Sequence, residues 1–343
     1  MAAHFRRSAI ALVAAAMLLA ACATPTVYGD LYFRADPETV QIDLWPKESA
    51  LVIPVRLNGG EPLPFLIDTG ATRSALYPLG VAALGDGVAV SGKIPLRSIG
   101  SRAVVDTVRV ERLRFGATEF SDADLAVLER SEIRPDFAGI IGLDLLGLFS
   151  LLFDPEEDGV WLMPSARFKP ERFSSWEQMY LIGEDEGPTD APSPALLFSQ
   201  ARFAFRRLFV LIDTGAESTF ISWHAASAEP KISLYRRRLD RALDIEGAVE
   251  SVETTSRVKV YNMTFGEFDP GPFNAILLDL DPIDQGPAGQ VPLMIMGADI
   301  LLQRPFVIDF SRRLLFFEPA PIEGAEDLRR ASPGLSLPVR PQG

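Results

Sequence analysis

The chain has 343 residues, 48% of them hydrophobic, which suffices for one large or two modest cores. Its 46 acidic residues outnumber 33 basic ones, for a net charge of −13, and so acidic a chain is not built to hold nucleic acid. One cysteine and two histidines exclude an internal disulfide and leave too few donors for a transition-metal centre, so no cofactor is expected.

Residues 1–21 carry Arg6 and Arg7, run apolar from Ala9 to Ala21 and end on small residues. That layout is a secretory signal, too short and wrongly flanked for a spanning helix. Leu19-Ala20-Ala21-Cys22 resembles the lipobox of bacterial lipoproteins. The resemblance implies cleavage before Cys22, acylation of that cysteine, and attachment to a membrane through the lipid. Loss of 1–21 removes two arginines and no acid, so 31 basic residues face 46 acidic ones and the charge becomes −15. Ala23 and Thr24 follow the cysteine. With no Asp there to favour inner-membrane retention, the expected place is the periplasm, on the outer membrane.

Residues 22–47 read as a tether over 23–38 and a first strand from Val40 to Leu44. A lobe is expected over 48–163. Ser49 to Leu57 alternates as a strand, Asn58-Gly59-Gly60-Glu61 is a hairpin turn, and Leu63 to Ile67 returns into Asp68-Thr69-Gly70. Ser74 to Leu84 fits no single pattern. Strand-like runs over 93–110 surround Arg97-Ser98-Ile99-Gly100-Ser101-Arg102, a candidate hairpin tip, and Val108 to Phe115 alternates up to Gly116. Residues 123–128 form another strand. Asp136 to Phe149 holds Ile140-Ile141-Gly142 and a short apolar helix.

Residues 164–194 gather five prolines and the acidic run Glu184-Asp185-Glu186, the composition of a linker. The pattern then restarts over 195–318. Leu196 to Phe205 is a strand, Arg206-Arg207 a turn, and Leu208 to Ile212 leads into Asp213-Thr214-Gly215. Arg236-Arg237-Arg238 reads as a solvated loop. Ile245-Glu246-Gly247-Ala248 occupies the place of the second hairpin tip, and Val258 to Gly266 matches Val108 to Gly116 in its ending. Residues 319–343 are rich in Pro and charge and read as a flexible tail.

The restart is a long internal repeat. The two Asp-Thr-Gly copies are 145 residues apart, while Gly142 with Asp154 and Gly297 with Asp309 are 155 apart. Such offsets imply a duplicated half and exceed any solenoid period. Phe65-Leu66-Ile67-Asp68-Thr69-Gly70-Ala71 followed by Ile140-Ile141-Gly142-Leu143-Asp144 resembles the aspartic proteases, most closely retropepsin-type halves. Two halves in one chain resemble the bilobal, pepsin-like plan. The resemblance implies an all-β, two-lobed aspartic-protease fold, with closed-barrel-like lobes and a central cleft. It makes Asp68 and Asp213 the catalytic pair, with Thr69, Gly70, Thr214 and Gly215 supporting them. Ile141, Gly142, Met296 and Gly297 would pack beneath the active loops. Ile99, Gly100, Glu246 and Gly247 are candidate flap residues. Departures from the family pattern are Thr72 and Glu217 after the motifs and two flap segments unlike each other, neither with a Tyr at its tip.

Other chemistries find less support. His4 leaves with the signal and His224 has no accompanying triad motif; Asn58-Gly59-Gly60 is a hairpin and no phosphate loop. The expected activity is aspartic endopeptidase action on a peptide or protein substrate, by a monomer anchored through lipid. The alternative is an inactive relative that binds extended peptides.

Overall fold

Strands with one apolar face need a partner surface, and here they find it by closing on one another. The computed structural model describes residues 34–44, 50–98, 101–129, 136–157, 159–183, 196–203, 206–227, 236–246, 251–278 and 293–319. The first part of the chain forms β1 (Val40–Asp43), β2 (Val52–Leu57), β3 (Leu63–Ile67), β4 (Ala75–Leu76), α1 (Pro78–Ala83), β5 (Val90–Ser98), β6 (Ser101–Phe115), β7 (Thr118–Val127), β8 (Gly139–Ile141), α2 (Leu143–Leu146), β9 (Phe149–Phe153) and β10 (Gly159–Pro164). Six of these pair in the order β2-β3-β8-β4-β7-β6, and β6 returns to β2, so the sheet closes on itself with β5 extending it. Two alternating runs, out of phase across Glu111 and Arg112, decide which side chains of β6 fill it. Val108, Val110, Leu113 and Phe115 of β6 are buried, while Arg109, Glu111, Arg112 and Arg114 are exposed. The turn after β2 forms as its residues demand. Asn58 and Gly59 both take positive φ, 52° and 81°, and the Gly60 N–H donates to the Leu57 carbonyl at 2.9 Å, the primed geometry that matches strand twist.

After β11 (Glu177–Tyr180) and β12 (Ile182–Gly183), a second lobe forms β13 (Leu197–Phe203), β14 (Arg206–Ile212), β15 (Phe220–Ser222), α3 (Trp223–Ser227), β16 (Arg236–Glu246), β17 (Ser251–Val260), β18 (Met263–Phe265), β19 (Phe273–Leu278), β20 (Leu293–Met296), α4 (Ala298–Leu301), β21 (Phe306–Asp309) and β22 (Leu314–Phe317). The same order of pairing recurs as β13-β14-β20-β15-β19-β17-β16. Where β6 runs unbroken, the second lobe turns at Asn262, with φ 55°, and the continuation β18 pairs with β13 as the end of β6 pairs with β2.

A six-stranded sheet joins the lobes in the order β1-β10-β9-β21-β22-β11. At its centre β9 meets β21, with Phe153 opposite Phe306 and Ser150 opposite Asp309. The all-β, two-lobed expectation holds.

Several local expectations change. The part of the 164–194 stretch that is described, 164–183, contributes β11 and a buried aromatic cluster of Phe168, Phe173 and Trp176 against Trp161 and Phe316. Apolar rings override the linker composition there. Arg206 and Arg207 are not a turn: they already pair with Phe203 and Arg202. Arg236 to Arg238 lie in a strand against β17 rather than in a loop. The end of the expected tether is packed down. Arg34 bonds Asp154 at 3.0 Å and Glu157 at 2.9 Å and stacks 4.0 Å from the Trp161 ring, while Arg167 clamps Asp36 at 2.8 Å.

Candidate active site

Each Asp-Thr-Gly follows an apolar inner strand, so its backbone emerges from the core at a fixed place. β3 runs parallel to β8 up to Ile67 opposite Ile141, and β14 runs parallel to β20 up to Ile212 opposite Met296. The next residues are bound the same way: the Asp68 N–H donates to the Ile141 carbonyl and the Asp213 N–H to the Met296 carbonyl, both at 3.0 Å.

The threonines tie the two loops to each other. The Thr69 hydroxyl donates to the Ile212 carbonyl at 2.7 Å and accepts the Thr214 N–H at 3.0 Å. The Thr214 hydroxyl donates to the Ile67 carbonyl at 2.7 Å and accepts the Thr69 N–H at 3.2 Å. Both threonines are buried. Each hydroxyl thus serves as donor and acceptor to the opposite lobe, and the two sets of bonds are reciprocal.

The glycines let each acid lie against the opposite loop. A Cβ on Gly70 would lie 2.4–2.7 Å from the Asp213 carboxyl group, and one on Gly215 would lie 2.4–2.7 Å from that of Asp68. Each carboxylate therefore occupies the space where the other loop's side chain would begin, and no residue larger than glycine fits. The same glycines orient the acids of their own loops. The Gly70 N–H donates to Asp68 Oδ1 at 2.8 Å, and Asp213 Oδ1 accepts from Gly215 at 2.8 Å and Ala216 at 3.0 Å. Asp68 is half-buried and Asp213 retains 8% of its surface, so the pair is not sealed off.

Ile141, Gly142, Met296 and Gly297 lie beneath these loops. A Cβ on Gly142 would meet the Arg73 and Ala71 backbone at 2.7–2.9 Å, and one on Gly297 would meet that of Ser218 and Ala216 at 2.4–2.8 Å. The flap expectations are placed only in part. The β5–β6 hairpin pairs out to Ser98 opposite Ser101, and β16–β17 out to Glu246 opposite Ser251. Ile99, Gly100 and Gly247 lie outside the described residues, as does Cys22, and Glu246 is described by its backbone alone.

Sequence reasoning gave no role to four further residues. Ser74 donates from its N–H and hydroxyl to Asp144 Oδ1, at 2.9 and 2.6 Å. Thr219 donates its N–H to Asp299 Oδ2 at 3.0 Å and its hydroxyl to Asp299 Oδ1 at 2.6 Å. Burial pushes both carboxyl groups above the ordinary carboxylate range, against the pull of these bonds. A usable signal was present: each hydroxyl residue stands six places after its Asp-Thr-Gly aspartate, and each acid two places after its Gly.

The aspartyl protease family model matches residues 53–145. That span runs from β2 into α2 and includes Asp68, Ser74 and Asp144. No curated protein matches the chain. The first lobe is therefore similar to an aspartyl protease domain, which supports a peptidase in general.

Proposed function

We propose that the protein is an aspartic endopeptidase in which Asp68 and Asp213, one from each of two duplicated retropepsin-like halves, act as a catalytic pair. The observation that carries the reading is the reciprocal fit of each carboxylate against the other loop's glycine. Two carboxylates that meet across such loops would share a proton, because ionising both in one small site is costly. The ionised member takes a proton from a water molecule. The protonated member hydrogen-bonds the scissile carbonyl oxygen, the water oxygen attacks its carbon, and the pair returns a proton to the leaving amine as the C–N bond breaks. The threonine bonds hold the loops so that this geometry exists before substrate arrives.

An extended peptide would lie as an added strand beneath the hairpin tips. With the Cys22 lipid attached, the enzyme works at a membrane surface of the periplasm on periplasmic or membrane-protein segments. The test is mass spectrometry of a peptide library incubated with the purified chain across pH 3–8. Cleavage is expected, and Asp68→Asn or Asp213→Asn is expected to lower it by about a thousandfold. Cleavage that survives both substitutions overturns the pair. Peptide binding without cleavage by the unaltered chain favours the inactive, peptide-binding alternative.

A further inference from the structure

Each active loop is held from below by the same five hydrogen bonds. In the first lobe Asp68 N–H binds the Ile141 carbonyl, Leu143 N–H binds the Ala71 carbonyl at 2.9 Å, and Gly142 N–H binds Ser74 Oγ at 2.9 Å. The two Ser74 donors then end on Asp144 Oδ1. In the second lobe Asp213 N–H binds the Met296 carbonyl, Ala298 N–H binds the Ala216 carbonyl at 2.7 Å, and Gly297 N–H binds Thr219 Oγ1 at 3.1 Å. The two Thr219 donors end on Asp299. In both lobes a carboxyl group is the terminus of the chain of bonds, and the hydroxyl between it and the Gly N–H can neither turn nor leave while the acid accepts from it.

We infer that Asp144 and Asp299 are positioning residues for the two active loops, each fixing its own lobe's aspartate through the Ser74 or Thr219 hydroxyl. This rests on the peptidase reading for its effect on rate, but its effect on the loops does not. The two acids differ in one respect that makes the inference sharp. Asp144 takes both Ser74 donors, and the Leu145 N–H at 3.0 Å, on a single oxygen. Asparagine can reproduce all three with its carbonyl. Asp299 takes the Thr219 hydroxyl on one oxygen and its N–H on the other. Whichever way an asparagine amide is turned there, one Thr219 donor loses its acceptor.

The experiment measures kcat and KM on a cleaved peptide, together with amide hydrogen exchange, for the full chain carrying Asp144→Ala, Asp144→Asn, Asp299→Ala or Asp299→Asn. In Asp144→Ala kcat is expected to fall about 10- to 100-fold with KM little changed. Exchange is expected to quicken about tenfold or more over 68–74 and 139–145 and to stay as in the unaltered chain over 216–219, where Ala216 and Thr219 bond within their own lobe. Asp299→Ala should give the mirror image. Asp144→Asn should recover most of what Asp144→Ala loses, and Asp299→Asn clearly less. Unchanged exchange over 68–74 in Asp144→Ala, or an Asp144→Asn chain as impaired as Asp144→Ala, overturns the inference. If Asp144→Ala does not fold, Ser74→Ala removes the same link, and its exchange over 68–74 decides the matter. If the unaltered chain cleaves nothing, the peptidase reading fails, and exchange alone still decides whether these acids hold the loops.

Discussion

At the scale of single residues, two threonines make four hydrogen bonds across the candidate site, two to each other and two to the Ile212 and Ile67 carbonyls. Thr69→Val keeps the shape and removes the hydroxyl that serves Ile212 and Thr214 in the other lobe. Each buried group left without its partner costs about 1–3 kcal/mol, so the variant is expected to unfold at a lower denaturant midpoint, and Thr214→Val likewise. Equal midpoints would show that water replaces the hydroxyl at no cost. Asp144 makes a separate prediction about pH. Burial raises its carboxyl above the ordinary value of 3.8, with the Arg73 charge pulling the other way. A raised group stabilises the fold while it is protonated, and that contribution is lost as pH climbs through the raised value. Asp144→Asn removes this loss. Its melting temperature, compared with that of the unaltered chain, is therefore expected to be relatively higher at pH 7 than at pH 4. Asp299 is shifted the same way, but its residue keeps more surface in solvent, so the matching change at 299 is expected to be smaller.

At the scale of elements, the site is a loop resting on a short strand and a four-residue helix, and the glycine at their junction sets how closely they approach. Gly142→Ala would place a methyl 2.7–2.9 Å from the Arg73 and Ala71 backbone. The loop must lift, so the expected result is peptide cleavage reduced about a hundredfold in a chain whose far-ultraviolet circular dichroism is kept. Normal turnover in that variant would mean the loop has slack. Much of this level was legible beforehand. Alternation marked β2 and β6, Asn58-Gly59 marked its turn, and the paired Asp-Thr-Gly and Ile-x-Gly segments marked the loop and the strand beneath it. What stayed hidden has physical reasons. Ser74 and Thr219 are residue types that solvated turns also use, and only a partner distant in sequence sets them apart. Pro164 and Pro170 hid the value of Phe168, Phe173 and Trp176, because composition is silent about which surface an aromatic ring will meet. Arg206 and Arg207 looked like a turn by charge, yet a strand keeps its backbone bonds whatever its exposed side chains carry.

At the scale of the whole molecule, the lobes share one sheet and are expected to unfold together. Leu151 lies in β9 opposite Ile308 of β21, and both are fully buried. Leu151→Ala is expected to cost about 2–5 kcal/mol and to move a single calorimetric transition to lower temperature. Two resolved transitions would show that the lobes unfold independently. The central pairing of β9 with β21 has one more consequence, for the order of events during synthesis. Strand β21 (Phe306–Asp309), which completes the shared sheet, is synthesised after Asp68, after β9 and after Asp213. Until Asp213 and then β21 have been made, a growing polypeptide carries Asp68 without a seated counterpart, and the pair is expected to stay idle.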